Sequence, residues 1–191
     1  FIRERFSVVL QRTVLELQGT PCIALEQVSP DRKSVMASRS FGQPVTTFEG
    51  LAEAVAAHTA RAAEKMRRQD LATTGVLVFI HTNRFRQDLP QYSPSRAVRL
   101  PVASADTARL LAAAVQALRT IYKPGFSYVK AGVLLPELVP AAMVQGDLWT
   151  TPDTPARQDL MAAMDALNAR FGRGTLAFGG VRKAAPWHLR K

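Results

Sequence analysis

Apolar residues recur along this chain at two spacings, the helical and the alternating, and the order in which the two take turns predicts the fold. Phe6, Val9, Leu10, Val14 and Leu17 share one helical stripe between Phe1 and Gln18, which Gly19 and Pro21 end. Cys22 to Val28 is a short apolar stretch, a strand or an extended linker, closed by Ser29-Pro30-Asp31. Met36 to Phe41 predicts a short strand. Thr46 and Glu49 then stand as a capping box, and Leu51, Val55, His58, Ala62 and Met66 form the stripe of the helix that follows. Arg61, Lys65, Arg67 and Arg68 fall outside that stripe. Val76 to Thr82 is almost wholly apolar, as a strand deep in a sheet would be. Arg96 to Leu100, between Pro94 and Pro101, predicts another strand. Ser104 is placed to cap a helix whose stripe is Leu111, Val115, Leu118 and Tyr122, with Pro124-Gly125 ending it. Tyr128 to Leu135 alternates, Val129, Ala131, Val133 and Leu135 on one face, Tyr128 and Lys130 on the other.

Strand, helix, strand, strand, helix, strand is the split βαβ, ferredoxin-like order, an α+β fold. It predicts a four-stranded antiparallel sheet with both helices on one face, leaving the other for a ligand. Four regions follow: residues 1–35 as a terminal helix and linker, 36–136 as the α+β domain, 137–156 as a connector, and 157–191 as a tail. Pro140, Gly146, Pro152 and Pro155 predict that the connector is flexible. In the tail, Leu160, Met161, Met164, Leu167 and Phe171 predict a short amphipathic helix stopped by Gly172 and Gly174, which needs a partner surface to be stable.

Composition narrows the class. Of the 191 residues, 47% are hydrophobic and 21% charged, which excludes wholesale disorder. There is no bilayer-length apolar run and no signal-peptide pattern, so no membrane partner is expected. The single cysteine, Cys22, excludes an internal disulfide and fits a reducing cytoplasm. The absence of a starting Met suggests a fragment. The formal charge of +10 points to a polyanion, since each Lys or Arg set on a phosphate releases counterions. Between Arg84 and Lys130 eight basic residues are opposed only by Asp88 and Asp106, and no acid follows Asp165.

Catalytic chemistry is scarce. His58, His81 and His188 are far apart and Cys22 has no second thiol near it, so no metal site is expected. His58 lies on an apolar stripe; His81, in a strand, could face either side. No nucleophile elbow, P-loop or dinucleotide fingerprint occurs. Binding is the better prospect. The strand around Phe79 lacks the motif that stacks RNA bases. Tracking of a phosphate backbone fits Ser38, Arg39, Ser40, Thr82, Arg84, Arg96, Arg99 and Lys130. In the connector, Gln145-Gly146-Asp147-Leu148-Trp149 reads as an apolar anchor beside a hydrogen-bonding Gln145.

Ser38-Arg39-Ser40-Phe41-Gly42, before a helix carrying Ala60-Arg61-Ala62-Ala63-Glu64-Lys65, resembles the start of the little-finger domain of UmuC-type Y-family translesion DNA polymerases. Tyr128-Val129-Lys130-Ala131-Gly132-Val133 and the peptide from Gln145 to Trp149 continue the resemblance. Asp165-Ala166-Leu167-Asn168-Ala169-Arg170 and Gly172-Arg173-Gly174-Thr175-Leu176 are similar to that family's tail. The resemblance implies the end of a thumb helix up to about residue 19, a linker to 35, a little finger over 36–136 that grips template-primer DNA, and a sliding-clamp-binding peptide of Gln145, Leu148 and Trp149. The family usually shows Phe where this chain has Trp149, and Leu where it has Gly146. The tail is associated in the family with UmuD′ and RecA partners in SOS mutagenesis. The two-metal palm, with its Mg, would lie upstream, leaving no catalytic residue or cofactor here. Two other readings stay open, a stand-alone RNA-binding module and a protein-interaction scaffold.

Overall fold

The computed structural model describes residues 1–22, 32–146 and 149–179. The turn at Ser29-Pro30-Asp31, most of the Cys22 to Val28 stretch, Leu148 and the basic end of the chain lie outside the described residues. The chain divides into two compact units, Phe1–Asp31 and Arg32–Lys191.

In the first unit the expected single helix is two, α1 (Ile2–Arg5) and α2 (Val8–Leu17). Ser7 divides them, because its hydroxyl accepts the Leu10 amide and starts a new helix there. At the other end Gly19 takes φ +82°, with Thr20 N–H on the Leu15 carbonyl and Gly19 N–H on that of Glu16. This is the left-handed cap that glycine favours.

The second unit carries β1 (Val35–Val45), α3 (Phe48–Arg67), β2 (Leu71–Thr82), β3 (Ser95–Ser104), α4 (Thr107–Ile121), β4 (Tyr128–Leu135), β5 (Leu138–Pro140) and α5 (Pro155–Phe171). The long strands lie antiparallel in the order β1-β4-β2-β3, and β5 extends the sheet along the start of β2. Each helix joins two strands that a third separates, so the split βαβ pattern holds. The inner pair is β4 and β2, whereas a ferredoxin sheet has its first and third strands inside. The helix α3 packs on β1 and β4, and α4 on β2 and β3, which puts both helices on one face.

Burial explains the elements. Leu51, Val55, His58, Ala62 and Met66 of α3 are all buried, as their spacing predicts. Facing them are Val76, Val78 and Ile80 of β2 and Ala131, Val133 and Leu135 of β4. Both β1 and β3 run through a proline, Pro44 and Pro101, which outer strands tolerate because one side of their ladder is unpaired.

Several local expectations shift. Thr47, not Thr46, caps α3 by accepting the Gly50 amide at 3.2 Å. Asp106, not Ser104, caps α4 by accepting that of Ala108 at 2.9 Å. The buried stripe of α4 is Leu110, Ala114, Ala117, Leu118 and Ile121, about one position from the predicted set. Its alanines allow close approach to the sheet, a benefit invisible to a search for large apolar residues. In β4, Lys130 pairs with His81 but Tyr128 with Thr82, leaving Val129 as an extra residue. That bulge turns Tyr128 into the core, where its hydroxyl donates to the Lys123 carbonyl at 2.9 Å. The connector is not simply flexible either, since β5 pairs with Leu71–Thr73 and the Asp153 carboxylate is held at the entry to α4.

Candidate nucleic-acid interface

Cross-strand partners share a face, so the register defines what the uncovered side of the sheet presents. Leu77, Phe79 and His81 of β2 alternate with the buried Val76, Val78 and Ile80. Opposite them stand Leu134, Gly132 and Lys130 of β4, then Met36, Ser38 and Ser40 of β1. On the other flank β3 brings Ser95, Ala97 and Arg99. None of these four strands contains an acidic residue.

The eight residues expected to track phosphates divide into groups. Ser38, Ser40, Arg99 and Lys130 share the uncovered face. Arg39 and Arg96 pair with Ala131 and Val78, which places them on the helix side of the two outer strands, where both are exposed. Arg84 lies in the turn after β2, its guanidinium 5.0 Å from the centre of the Phe85 ring. Thr82 is a correction. It is buried toward the helices, donates to Gln91 Oε1 at 2.9 Å and accepts from the Tyr92 amide at 3.0 Å. The regular alternation of β2 sets that orientation, with Thr82 on the side of Val76, Val78 and Ile80 and away from the uncovered face.

Beyond Arg84 the same turn largely neutralises itself. Arg86 donates to both oxygens of Asp88, at 2.8 and 2.6 Å, and this bond holds the Asp88 carboxyl down to about 2. The aromatic content of the face was missed in the sequence. Phe79 and His81 lie with ring centres 5.1 Å apart, a pair legible from the alternation Leu77, Phe79, His81 once the covered side is known.

The connector leaves the sheet edge and returns to it. Gln145 is exposed and Trp149 is 88% exposed, while Leu148, the third residue of the expected anchor, lies outside the described residues. On the return, the Asp153 carboxylate accepts from Ser104 Oγ at 2.8 Å and from the amides of Ala105 and Asp106 at 2.8 and 3.1 Å. Arg109 approaches it at 3.2 Å.

Sequence reasoning also missed the surface on which the tail helix rests. Arg67, at the end of α3, donates to both carboxylate oxygens of Asp165 at 2.7 and 2.8 Å. The same guanidinium reaches the Ala105 carbonyl and Thr107 Oγ1, each at 2.8 Å. Arg157 donates twice to the buried Asp106, at 2.8 and 2.6 Å, and Met161 is buried between these two contacts. Among the described residues, no group of three or more His, Cys, Asp or Glu could hold a metal, and no helix is long and apolar enough to cross a membrane.

Residues 32–148 match the impB/mucB/samB family C-terminal domain. The chain belongs to this family. Residues 158–191, which include most of α5, match a separate domain of unknown function, DUF4113. Protein UmuC of Salmonella typhimurium is 38% identical over 191 residues, covering all of this chain and 45% of the relative. Protein MucB of Escherichia coli is 38% identical over 180 residues, or 94% of this chain and 42% of the relative. The chain thus spans somewhat less than half the length of the impB/mucB/samB proteins it matches. Likeness to solved structures is lower. The little finger domain of PolIV, solved in complex with the beta-clamp processivity factor, is 15% identical with a TM-score of 0.38, over 61% of this chain and 99% of that one.

Proposed function

We propose that this chain is the DNA-gripping and clamp-docking C-terminal region of an error-prone translesion DNA polymerase used in SOS mutagenesis. The single observation that carries the proposal is family membership over residues 32–148, which brings the resemblance to little-finger domains onto the sheet itself. The acid-free strands supply the physical reason. Ser38, Ser40, Arg99 and Lys130 offer hydroxyls and cations on one face, with Arg39 and Arg96 flanking it. That set suits a phosphate backbone and reads no base sequence. Gln145, Leu148 and Trp149 would dock a sliding clamp, the indole filling an apolar pocket. The tail would meet UmuD′ or RecA through residues not assigned. Nucleotidyl transfer and its Mg2+ belong in this proposal to the palm of the whole polymerase, in the cytoplasm, and this chain contributes grip and docking.

Binding of primer-template duplex, followed against salt, tests the grip. Affinity is expected to fall steeply as salt rises. Replacing Arg99 and Lys130 together with Gln should weaken binding about tenfold and reduce the salt slope by roughly two. Salt-independent binding would sink the proposal. Phe79 and His81 favour one rival, an RNA-stacking module, and stronger binding of single-stranded RNA than of duplex would select it. The docking half is tested apart: Trp149→Ala should weaken sliding-clamp binding about tenfold or more while leaving duplex affinity unchanged. Equal clamp binding by the variant would remove the peptide from the account.

A further inference from the structure

From sequence His81 is a strand residue that could face either side, and the fold gives it a specific setting. It lies on the inner strand β2, on the uncovered face, directly across from Lys130 of β4. Directly opposed side chains on neighbouring strands hold their Cβ atoms about 5 Å apart, close enough for one phosphate to touch both. We propose that His81 and Lys130 form a phosphate-binding pair at the middle of this face, and that the pair takes up a proton when a nucleic-acid backbone binds. The inference rests on the DNA-gripping reading and adds to it a residue and a linkage.

The pair sits beside a fixed aromatic ring. Phe79 lies 5.1 Å from His81, centre to centre, and the Lys130 ammonium is 6.0 Å from the centre of the Phe79 ring. Gly132 makes room for that ring, since a Cβ there would stand 2.2 Å from Phe79 Cζ. An imidazole and an ammonium are therefore held around one ring on inner strands, where the backbone is paired on both sides.

The charges facing His81 are of one sign. From β4 the titratable group is Lys130. β1 presents Ser38 and Ser40, and β3 presents Ser95, Ala97 and, further along, Arg99. Arg84 follows in the turn after β2, and none of the four strands carries a carboxylate to offset these cations. The helices α3 and α4 cover the opposite face. Burial, and then the Lys130 charge, lower the His81 pKa below its ordinary value. At neutral pH the imidazole is therefore uncharged. A phosphate arriving between it and Lys130 reverses the local field and favours the imidazolium, whose new N–H bond takes its proton from the buffer. Since the bound state holds more protons than the free state, affinity rises as pH falls. The rise ends once the free protein is itself protonated.

The test titrates the 191-residue chain with duplex DNA lacking terminal phosphates, because terminal phosphates ionise in the same range. At fixed salt, affinity should increase about tenfold between about pH 8 and pH 5.5. His81→Gln should keep salt-dependent binding but lose that increase. His81→Arg, charged throughout, should bind at about pH 8 as tightly as the unmodified chain does near pH 5.5. The imidazole proton resonances of His81 should titrate at higher pH in the complex than in the free chain. Salt-dependent binding that is flat with pH, or an equal pH response in His81→Gln, would overturn the pair and leave the grip intact. Loss of salt-dependent binding altogether would instead remove the reading on which it rests.

Discussion

Replacing Arg67 with Ala is expected to lower the stability of the Arg32–Lys191 unit by about 3 kcal/mol and to release α5 from it. The guanidinium makes four hydrogen bonds, two to Asp165 and one each to the Ala105 carbonyl and Thr107 Oγ1. Its side chain is 15% exposed and that of Asp165 25%, so water screens the pair only in part. Truncation leaves a carboxylate and a carbonyl without the donor around which they are arranged, and that loss outweighs what a surface ion pair contributes. Arg67→Lys should recover less than half of the stability, since an ammonium cannot fork to Asp165 while reaching across to Ala105. Urea unfolding measures the first effect. Limited proteolysis between residues 144 and 156 measures the second, with faster cleavage expected in the variant. An unchanged midpoint and unchanged cleavage would show that Met161 and the Arg157–Asp106 contact hold the helix without Arg67.

Asp153→Ala is expected to cost about 2 to 3 kcal/mol, through a different mechanism. The carboxylate lies at the entry to α4 and accepts the Ala105 and Asp106 amides and the Ser104 hydroxyl. Those amides precede the first turn of α4, where an anion is also favoured by the helix dipole. With its side chain 9% exposed, Asp153 leaves little room for water to replace it. Asp153→Asn keeps one acceptor and should lose about half as much. Hydrogen exchange at the Ala105 and Asp106 amides reports the local effect, and accelerated exchange at these two positions is expected before any change in β2 or β4. Exchange that stays slow in Asp153→Ala would place the protection elsewhere.

Both predictions concern the seam between tail and sheet domain, the part of the molecule that one-dimensional reading handled worst. Arg67 stood among four cations outside the apolar stripe of α3, and Asp153 carried no sequence reading at all. Their partners are 98 and roughly 50 residues away, at Asp165 and at Ser104 to Asp106. No local period records a contact over such a separation. The strands were easier. Val76 to Thr82 and Tyr128 to Leu135 stood out because burial on one or both faces imposes an apolar pattern on consecutive positions. The α3 stripe was legible for the same reason, and with it the burial of His58.

The candidate face was half visible. Lys130, Ser38, Ser40 and Arg99 were named from their strands and share one side of the sheet. Thr82 was named on the same grounds and is buried, because the alternation of β2 puts it on the side of Val76, Val78 and Ile80. Tyr128 was expected beside Lys130 and is buried instead, because the extra residue Val129 moves it to the other side. Alternation predicts a face only while the register is unbroken, and a bulge is invisible until two strands are paired.

What the sequence determined by itself was the four long strands and two helices of residues 36–136, their order, the split βαβ class, the basic and acid-free character of the strands, and a family resemblance that the match over 32–148 turned into membership. These properties are local or compositional, and each leaves a trace in neighbouring residues. What only the tertiary structure decided was which strands lie inside, which side of the sheet stays uncovered, that His81 stands across from Lys130, and that α5 rests on Arg67 and Asp106. Those facts depend on pairing between distant segments, where the free energy belongs to the contact and not to either sequence alone.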